Sequence, residues 1–337
     1  MSACIPETSY FATPKFLSTV LHGLSVIEIA VHLLGAWIIV VHTPSTMASV
    51  KWPMLNLHFW SSFLDLSISL LTIPFVIFPA IAGFPLGLLS FFETTVWAQC
   101  HGIVTLIGFV IVSTLLVYEN RYFLISQPNR TWEKLRIYYI FFCYILTISF
   151  MIPFSLMVPE QKSAVKGVFE RLPCLPQYVY EGPVFVYTRS FTPIFATVIS
   201  LVLVVSCGIV VFITLTIRCL LRTTRNRSAS AKTLDLQKKF LFGLVIQTTI
   251  PVLVVLCPIA YMSTSLIAGY YNQAGNNFLF IVFSLHGIMS TSAMLLMHKP
   301  YRTAASDILF PCCSNKTSEE SVVNSTMLAA RKTVGRI

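Results

Sequence analysis

Apolar positions along this 337-residue chain neither alternate nor follow one helical stripe; they gather into seven long runs. These are Phe16 to Val41, Met54 to Ile81, Thr94 to Tyr118, Leu135 to Val158, Thr192 to Ile217, Phe240 to Ile267 and Phe278 to Met297. A helix needs about 20 residues to cross roughly 30 Å of hydrocarbon, and each run reaches that length. Backbone groups find no water in lipid, so only helices or closed barrels span it, and runs without period-two alternation select helices. The pattern predicts an all-α membrane protein, a bundle of seven transmembrane helices. No cleavable signal segment is expected, because the first fifteen residues carry Pro6 and Pro14 and the run from Phe16 is too long for a signal core. Residues 1–15 therefore read as a tail outside the membrane, 16–298 as the bundle, and 299–337 as a second tail.

Composition agrees with this placement. With 55% hydrophobic and 11% charged residues, the chain has too little polar surface to clothe a soluble globule. Lys and Arg are unevenly placed: eighteen fall on the face that holds the second and third basic loops and the carboxyl-terminal tail, and five on the other. Basic residues resist transfer outward, so the amino terminus is expected outside and the carboxyl terminus in the cytosol. The net charge of +10 then reflects this asymmetry and attraction to anionic membrane lipid, and calls for no nucleic-acid partner. All four Asn-x-Ser/Thr sequons, at Asn129, Asn226, Asn315 and Asn324, lie on the predicted cytosolic side, where no sugar is attached.

Two stretches interrupt the apolar pattern in an informative way. The third run ends in Glu119-Asn120-Arg121-Tyr122, and the last ends in LLMHKPYR, with His298 to Arg302 at its close. Together with TPSTMASVKWPMLNLHFWSSFLDL from Thr43 to Leu66, they make the chain resemble the nematode serpentine receptors of class H, the Srh chemoreceptors, from about Phe16 to Arg302. The resemblance implies a seven-helix G-protein-coupled receptor for small environmental chemicals, in the plasma membrane of sensory neurons. It implies a heterotrimeric G protein as partner, no cofactor and no catalysis. Pairing with a second receptor copy is left open.

The residues allow sharper readings beside plainer ones. Arg121 is either a snorkelling cation that reaches lipid phosphates, or, with Glu119 and Asn120, part of a switch that meets the G protein. Glu119 stands two positions before Arg121, so the two side chains point apart on a helix and no local ion pair is expected. The start of the sixth span offers Lys238 and Lys239 and no acid as a partner for Arg121. Pro300 cannot continue the last helix; the chain should turn there and run from Tyr301 to Phe310 along the membrane surface, with Arg302 toward phosphates. Cys312 and Cys313 then read as palmitoylation sites or as two reduced thiols.

Asp65 and Glu28 lie deep in spans, where a charge costs on the order of 3 kcal/mol, so each should face the interior. Asp65 reads as an internal polar node, either an ion site or a protonated acid bonded to Ser or Asn. Glu28 reads as a contact for a cationic ligand or as a helix–helix hydrogen bond. A ten-residue separation puts His22 and His32 on different faces, and with His58 elsewhere no metal site is expected. Pro251 and Pro258 in the sixth span are candidate kinks that would let its inner end swing, or simply static shape. By likeness to rhodopsin-like receptors, Cys100 pairs with Cys174, a bond that would contribute about 2–4 kcal/mol, with Cys4 as competitor.

A different class is an ion channel or transporter with inverted topology, which the sequons would fit. The chain offers no acidic ring, no Gly-rich filter and no paired broken helices. It also lacks HExxH and GxSxG, and its seventh span has no lysine to hold retinal, so an enzyme is not expected.

Overall fold

The computed structural model describes residues 9–126, 130–150, 152–172, 174–190, 192–225 and 230–311. Helix α1 (Pro14–His42) begins where Thr13 accepts the Phe16 N–H at 3.1 Å and Pro14 supplies a preset φ. After it come α2 (Ala48–Leu66), α3 (Val96–Ser126), α4 (Arg130–Ser149) and the short α5 (Ile152–Ser155). A connecting region holds α6 (Gln161–Arg171) and the short α7 (Gln177–Tyr180). The chain then forms α8 (Thr192–Arg225), α9 (Ala231–Ala268), α10 (Gln273–Ser284), α11 (His286–Met297) and α12 (Lys299–Leu309). Ser230 caps the start of α9, and Gly269, at φ +66°, takes the left-handed conformation that ends it.

By length and composition, five stretches of helix among the described residues can cross a membrane: Pro14–His42, Val96–Ser126, Phe195–Arg225, Thr233–Ala268 and Gln273–Met297. The second and fourth spans are less pure for identifiable reasons. Helix α2 is short and carries Lys51, and α4 spends its first two turns on Arg130, Glu133, Lys134 and Arg136. Helix α3 is central, packed on α2, α8 and α4, while α1 packs on α2, α11 and α12, and α9 packs on α10 and α11. Leu57, Leu64, Leu115, Tyr118, Phe212 and Leu244 form the core between them. Outward faces stay apolar and exposed, as at Phe141, Ile145, Leu203, Val204 and Val210, which suits hydrocarbon rather than water.

The second apolar run departs from the expected continuous helix. Beyond Leu66 the backbone widens through Ser67–Thr72, turns left-handed at Ile73, and becomes an antiparallel hairpin. Its strands are β1 (Pro74–Val76) and β2 (Ala82–Pro85), with Phe75 opposite Phe84, and β3 (Phe185–Val186) extends the sheet beside β2. Pro74, Pro79 and Pro85 lack the N–H that a helix ladder needs, which is the physical reason the helix gives way. Pro74 opens β1 and Pro79 lies at the hairpin turn. The hairpin satisfies the span it ends: Leu86 and Gly87 donate to the Thr72 carbonyl at 3.0 and 2.8 Å. Phe75 and Ile77 are fully buried against Leu17, Leu21 and Val179, so the hairpin lies across the amino-terminal end of the bundle.

Candidate functional site

At the end of the bundle that carries the basic loops, the interrupted run of α3 is buried. Successive helical residues point about 100° apart, so Tyr118 and Arg121, three apart, share the face toward α9 while Glu119 and Asn120 turn to α4 and α2. Tyr118 places its hydroxyl 2.6 Å from that of Thr248 on α9. Glu119, fully buried, accepts from Trp132 Nε1 at 3.0 Å and Arg136 Nε at 2.8 Å, both on α4. Asn120 accepts from Arg136 Nη2 at 2.8 Å and donates to the Ser49 carbonyl of α2 at 3.3 Å. Arg121 turns to α9, where its Nη2 donates to the Gln237 side-chain oxygen and its guanidinium lies 4.4 Å from the Phe240 ring. Its Nε has no hydrogen-bond partner among the described residues.

The geometry answers the question of what restrains Arg121. The partner is a neutral amide one position before Lys238, a residue type that a search for acids overlooks. Glu119 is indeed turned away from Arg121, and its counter-charge comes from the next helix instead.

The corner after the last span sits beside this floor. His298 takes an extended conformation between α11 and α12, with Pro300 in the first turn of α12. Its Nε2 lies 3.1 Å from the Gln247 side-chain oxygen of α9, and its ring packs between Phe240 and Tyr301. Tyr301 is fully buried, with its hydroxyl 2.9 Å from that of Thr43. Arg302 folds back to donate to the Leu296 carbonyl at 3.0 Å. Ile308, Leu309 and Phe310 stay exposed at the far end of α12, and Cys312 and Cys313 lie outside the described residues.

A second polar constellation occupies the bundle axis. Helix α10 ends at Ser284 and α11 starts at His286, so the last span is broken and frees backbone donors at the start of α11. Asp65 of α2 fills that role from outside the helix, accepting from Gly287 N at 3.0 Å and Ile288 N at 3.1 Å. His32 of α1 lies 3.3 Å from its Oδ2. His58 donates to the His32 carbonyl at 2.9 Å, and the Thr291 hydroxyl sits 3.3 Å from Nδ1 of both histidines. Asp65 therefore joins α1, α2 and α11 as an acceptor on both oxygens, with His and backbone partners where Ser or Asn was expected. Glu28 takes the Ser69 hydroxyl on one oxygen, a contact between the first and second spans, and its other oxygen has no partner among the described residues.

The cap makes a prediction. A Cβ at Gly287 would overlap the Asp65 carboxylate, with Cγ only 2.7 Å away. Gly287→Ala is expected to cost about 1–3 kcal/mol through displacement of that carboxylate. A lower melting temperature of the purified protein checks this; a variant that melts with the parent would show that the cap does not hold the helices.

Two further expectations meet the structure differently. Pro251 and Pro258 both lie within an α9 that continues through them, and both are buried on the same face, seven residues apart. The expected Cys100–Cys174 bond is not the one formed: Cys100 is a free thiol within α3, whereas Cys174 is disulfide-bonded. Cys100 lies one turn into α3, beside Tyr187 and not bonded to Cys174, and the proposed competitor Cys4 lies outside the described residues. Non-reducing peptide mapping is expected to recover Cys100 as an alkylated thiol and Cys174 in a cross-linked peptide; a Cys100–Cys174 peptide would contradict this.

Five helices among the described residues, long and apolar enough to cross a membrane, with α2 and α4 packed among them around a buried polar axis, make this an integral multi-pass membrane protein. The chain belongs to the Srh chemoreceptor family: the profile described as serpentine type 7TM GPCR chemoreceptor Srh matches residues 12–311. It is similar to serpentine receptor class H-72 of Caenorhabditis elegans, with 25% identity over 325 residues that cover 95% of this chain and 91% of the relative. Among solved structures, squid rhodopsin aligns with a TM-score of 0.48 and 14% identity, covering 88% of this chain and 85% of that one. It is membership of the Srh family that makes the chain a mostly helical seven-transmembrane chemoreceptor, of a family of receptors and not of enzymes.

Proposed function

We propose that the chain is a chemosensory receptor in which a small environmental chemical, bound from outside, shifts a conformational population and thereby activates a heterotrimeric G protein. The observation that carries this reading is the floor made by Glu119, Asn120 and Arg121, three buried polar residues tied to three other helices. In the proposed orientation the amino terminus faces out and the basic loops face the cytosol, in the plasma membrane of a sensory cell. Opening swings the inner end of α9 away from α3 and α11. That motion breaks Arg121 from Gln237, Tyr118 from Thr248 and Gln247 from His298, and presents Arg121, Tyr301 and Arg302 to the G protein. Pro251 and Pro258, which each remove an internal hydrogen bond on one face of α9, are where the bend is placed. A ligand drives this only as far as it binds the open form better than the closed one.

The first test is topology with coupling. A sequon placed near Thr8 is expected to be glycosylated, while Asn129 and Asn226 stay unmodified. Purified receptor in lipid nanodiscs should then raise nucleotide exchange on a G protein when odorant mixtures are added. Sugar on Asn129 and Asn226, together with ligand-evoked current without any G protein, would instead establish the inverted channel.

A further inference from the structure

We infer that the cavity beside the hairpin tip binds a small organic acid, a carboxylate with a short apolar tail, and that Arg171 and Arg189 are its anion-binding pair. The inference rests on the receptor reading for placing this cavity on the outer face.

Phe75, Ile77 and Phe78 of the hairpin are themselves buried against the bundle. Space remains at the hairpin's side. A cavity of about 510 Å³ opens between the tip at Pro79 to Ile81, helix α6, and the end of α9 at Leu266. That volume falls within the range of small-molecule sites. Pro79, Ile81, Val168, Leu172 and Leu266 supply apolar wall, and the two guanidiniums stand on the same cavity.

Charge decides what such a cavity prefers. Arg189 donates to the Ser163 hydroxyl, which points it across the opening toward α6. Among the described residues, no carboxylate lies within 4 Å of either arginine. Lys166, one turn earlier on α6, has its acid in Glu170 at 3.9 Å. Two like charges on one partly apolar cavity raise the local potential, and an oxyanion between them relieves it. The planar guanidinium fork also matches a carboxylate better than an ammonium would. A neutral or cationic molecule would leave that potential uncompensated.

The cavity also has a mechanical connection inward. The hairpin continues the second span, which carries Asp65 and Ser69, and Gln273 and Asn276 of α10 hold the Val76 and Phe78 carbonyls at 3.1 and 3.3 Å. A ligand seated against the tip therefore bears on the second span, which carries Asp65, and on α10, the helix that leads into the α11 whose start Asp65 caps.

Octanoate and octanol are suitable probes, because they share a tail and differ in the oxyanion. With purified receptor in phosphatidylcholine nanodiscs, octanoate is expected to raise the melting temperature saturably, and octanol is expected not to. Arg171→Gln with Arg189→Gln should abolish the shift while leaving the ligand-free melting temperature unchanged, since both side chains are exposed. The paired lysine substitutions should retain part of it. No shift with octanoate, an equal shift with octanol, or a shift that survives the double glutamine variant would overturn the site. So would a shift supplied by phosphatidylserine nanodiscs that leaves none for octanoate, since the occupant would then be a lipid headgroup. An octanoate shift without nucleotide exchange would keep the site and reject the receptor reading. Exchange driven by neutral odorants and undiminished in the glutamine variant would keep the receptor and reject the site.

Discussion

Arg136→Ala is expected to lower the melting temperature of the receptor, and its yield at the cell surface, more than any other single change in the polar floor. Glu119 is fully buried, and Arg136 supplies its only cation among the described residues, with Nε at 2.8 Å. The same guanidinium also bonds Asn120 and packs 4.4 Å from the Phe123 ring. Removing it strands a carboxylate in the interior with Trp132 as its remaining donor. Breaking one side of a buried pair costs about 3–5 kcal/mol, whereas loss of a single neutral hydrogen bond costs about 1 kcal/mol. The cause is identifiable by rescue. Glu119→Gln introduced into the Arg136→Ala background removes the uncompensated charge and should recover much of the loss, so the double variant should melt above Arg136→Ala alone. If Arg136→Ala melts with the parent protein, Glu119 is not held as a buried ion and the floor is not a charged network.

How much of this was legible in the chain depends on what kind of force fixes each feature. The membrane demands uninterrupted apolar length, so the spans announce themselves in one dimension, and the turn at Pro300 follows from a missing N–H. The hairpin was hidden because an apolar run rich in Ile, Val and Phe reads alike as a buried strand or a buried helix. The breaker signal was nevertheless present in the spacing of Pro74, Pro79, Gly83, Pro85 and Gly87. Partners across helices were less accessible still. Arg136 looked like one more basic residue of a cytosolic loop, and its service to Glu119 depends on how α4 is rotated. Gln237 carries no charge that would mark it in the sequence as a partner for Arg121. His32 and His58 gather at Asp65 only because α1, α2 and a broken last span meet there, which no spacing within one segment reveals. The Cys100–Cys174 pairing rests on likeness alone, which supplies candidate pairs but not the packing that leaves Cys100 a free thiol.

Gln237 is where the largest change in signalling is expected, in opposite directions for two substitutions. Arg121 is nearly enclosed, with the Gln237 amide oxygen as its side-chain acceptor and the Gln237 carbonyl at a marginal 3.5 Å. A hydrogen bond to a charged group is worth about 1.5–3 kcal/mol, and about 1.4 kcal/mol is tenfold in a population. The contact joins α3 to α9 and, in the proposed mechanism, is lost when their ends separate, so its energy weighs on the closed form alone. Gln237→Ala should therefore raise ligand-free nucleotide exchange by about tenfold or more, provided the open form is rare to begin with. Gln237→Glu replaces a dipole by a full charge of opposite sign, strengthens the same tie, and should depress basal exchange and demand more ligand. The neighbouring ion pair cannot substitute for either effect, because Lys239 and Asp235, 2.7 Å apart, are both exposed and contribute little. If the alanine and glutamate variants both lose exchange, the Gln237 contact belongs to the active arrangement or to the G-protein surface. If they diverge in sign, a neutral amide is what sets how easily this receptor opens.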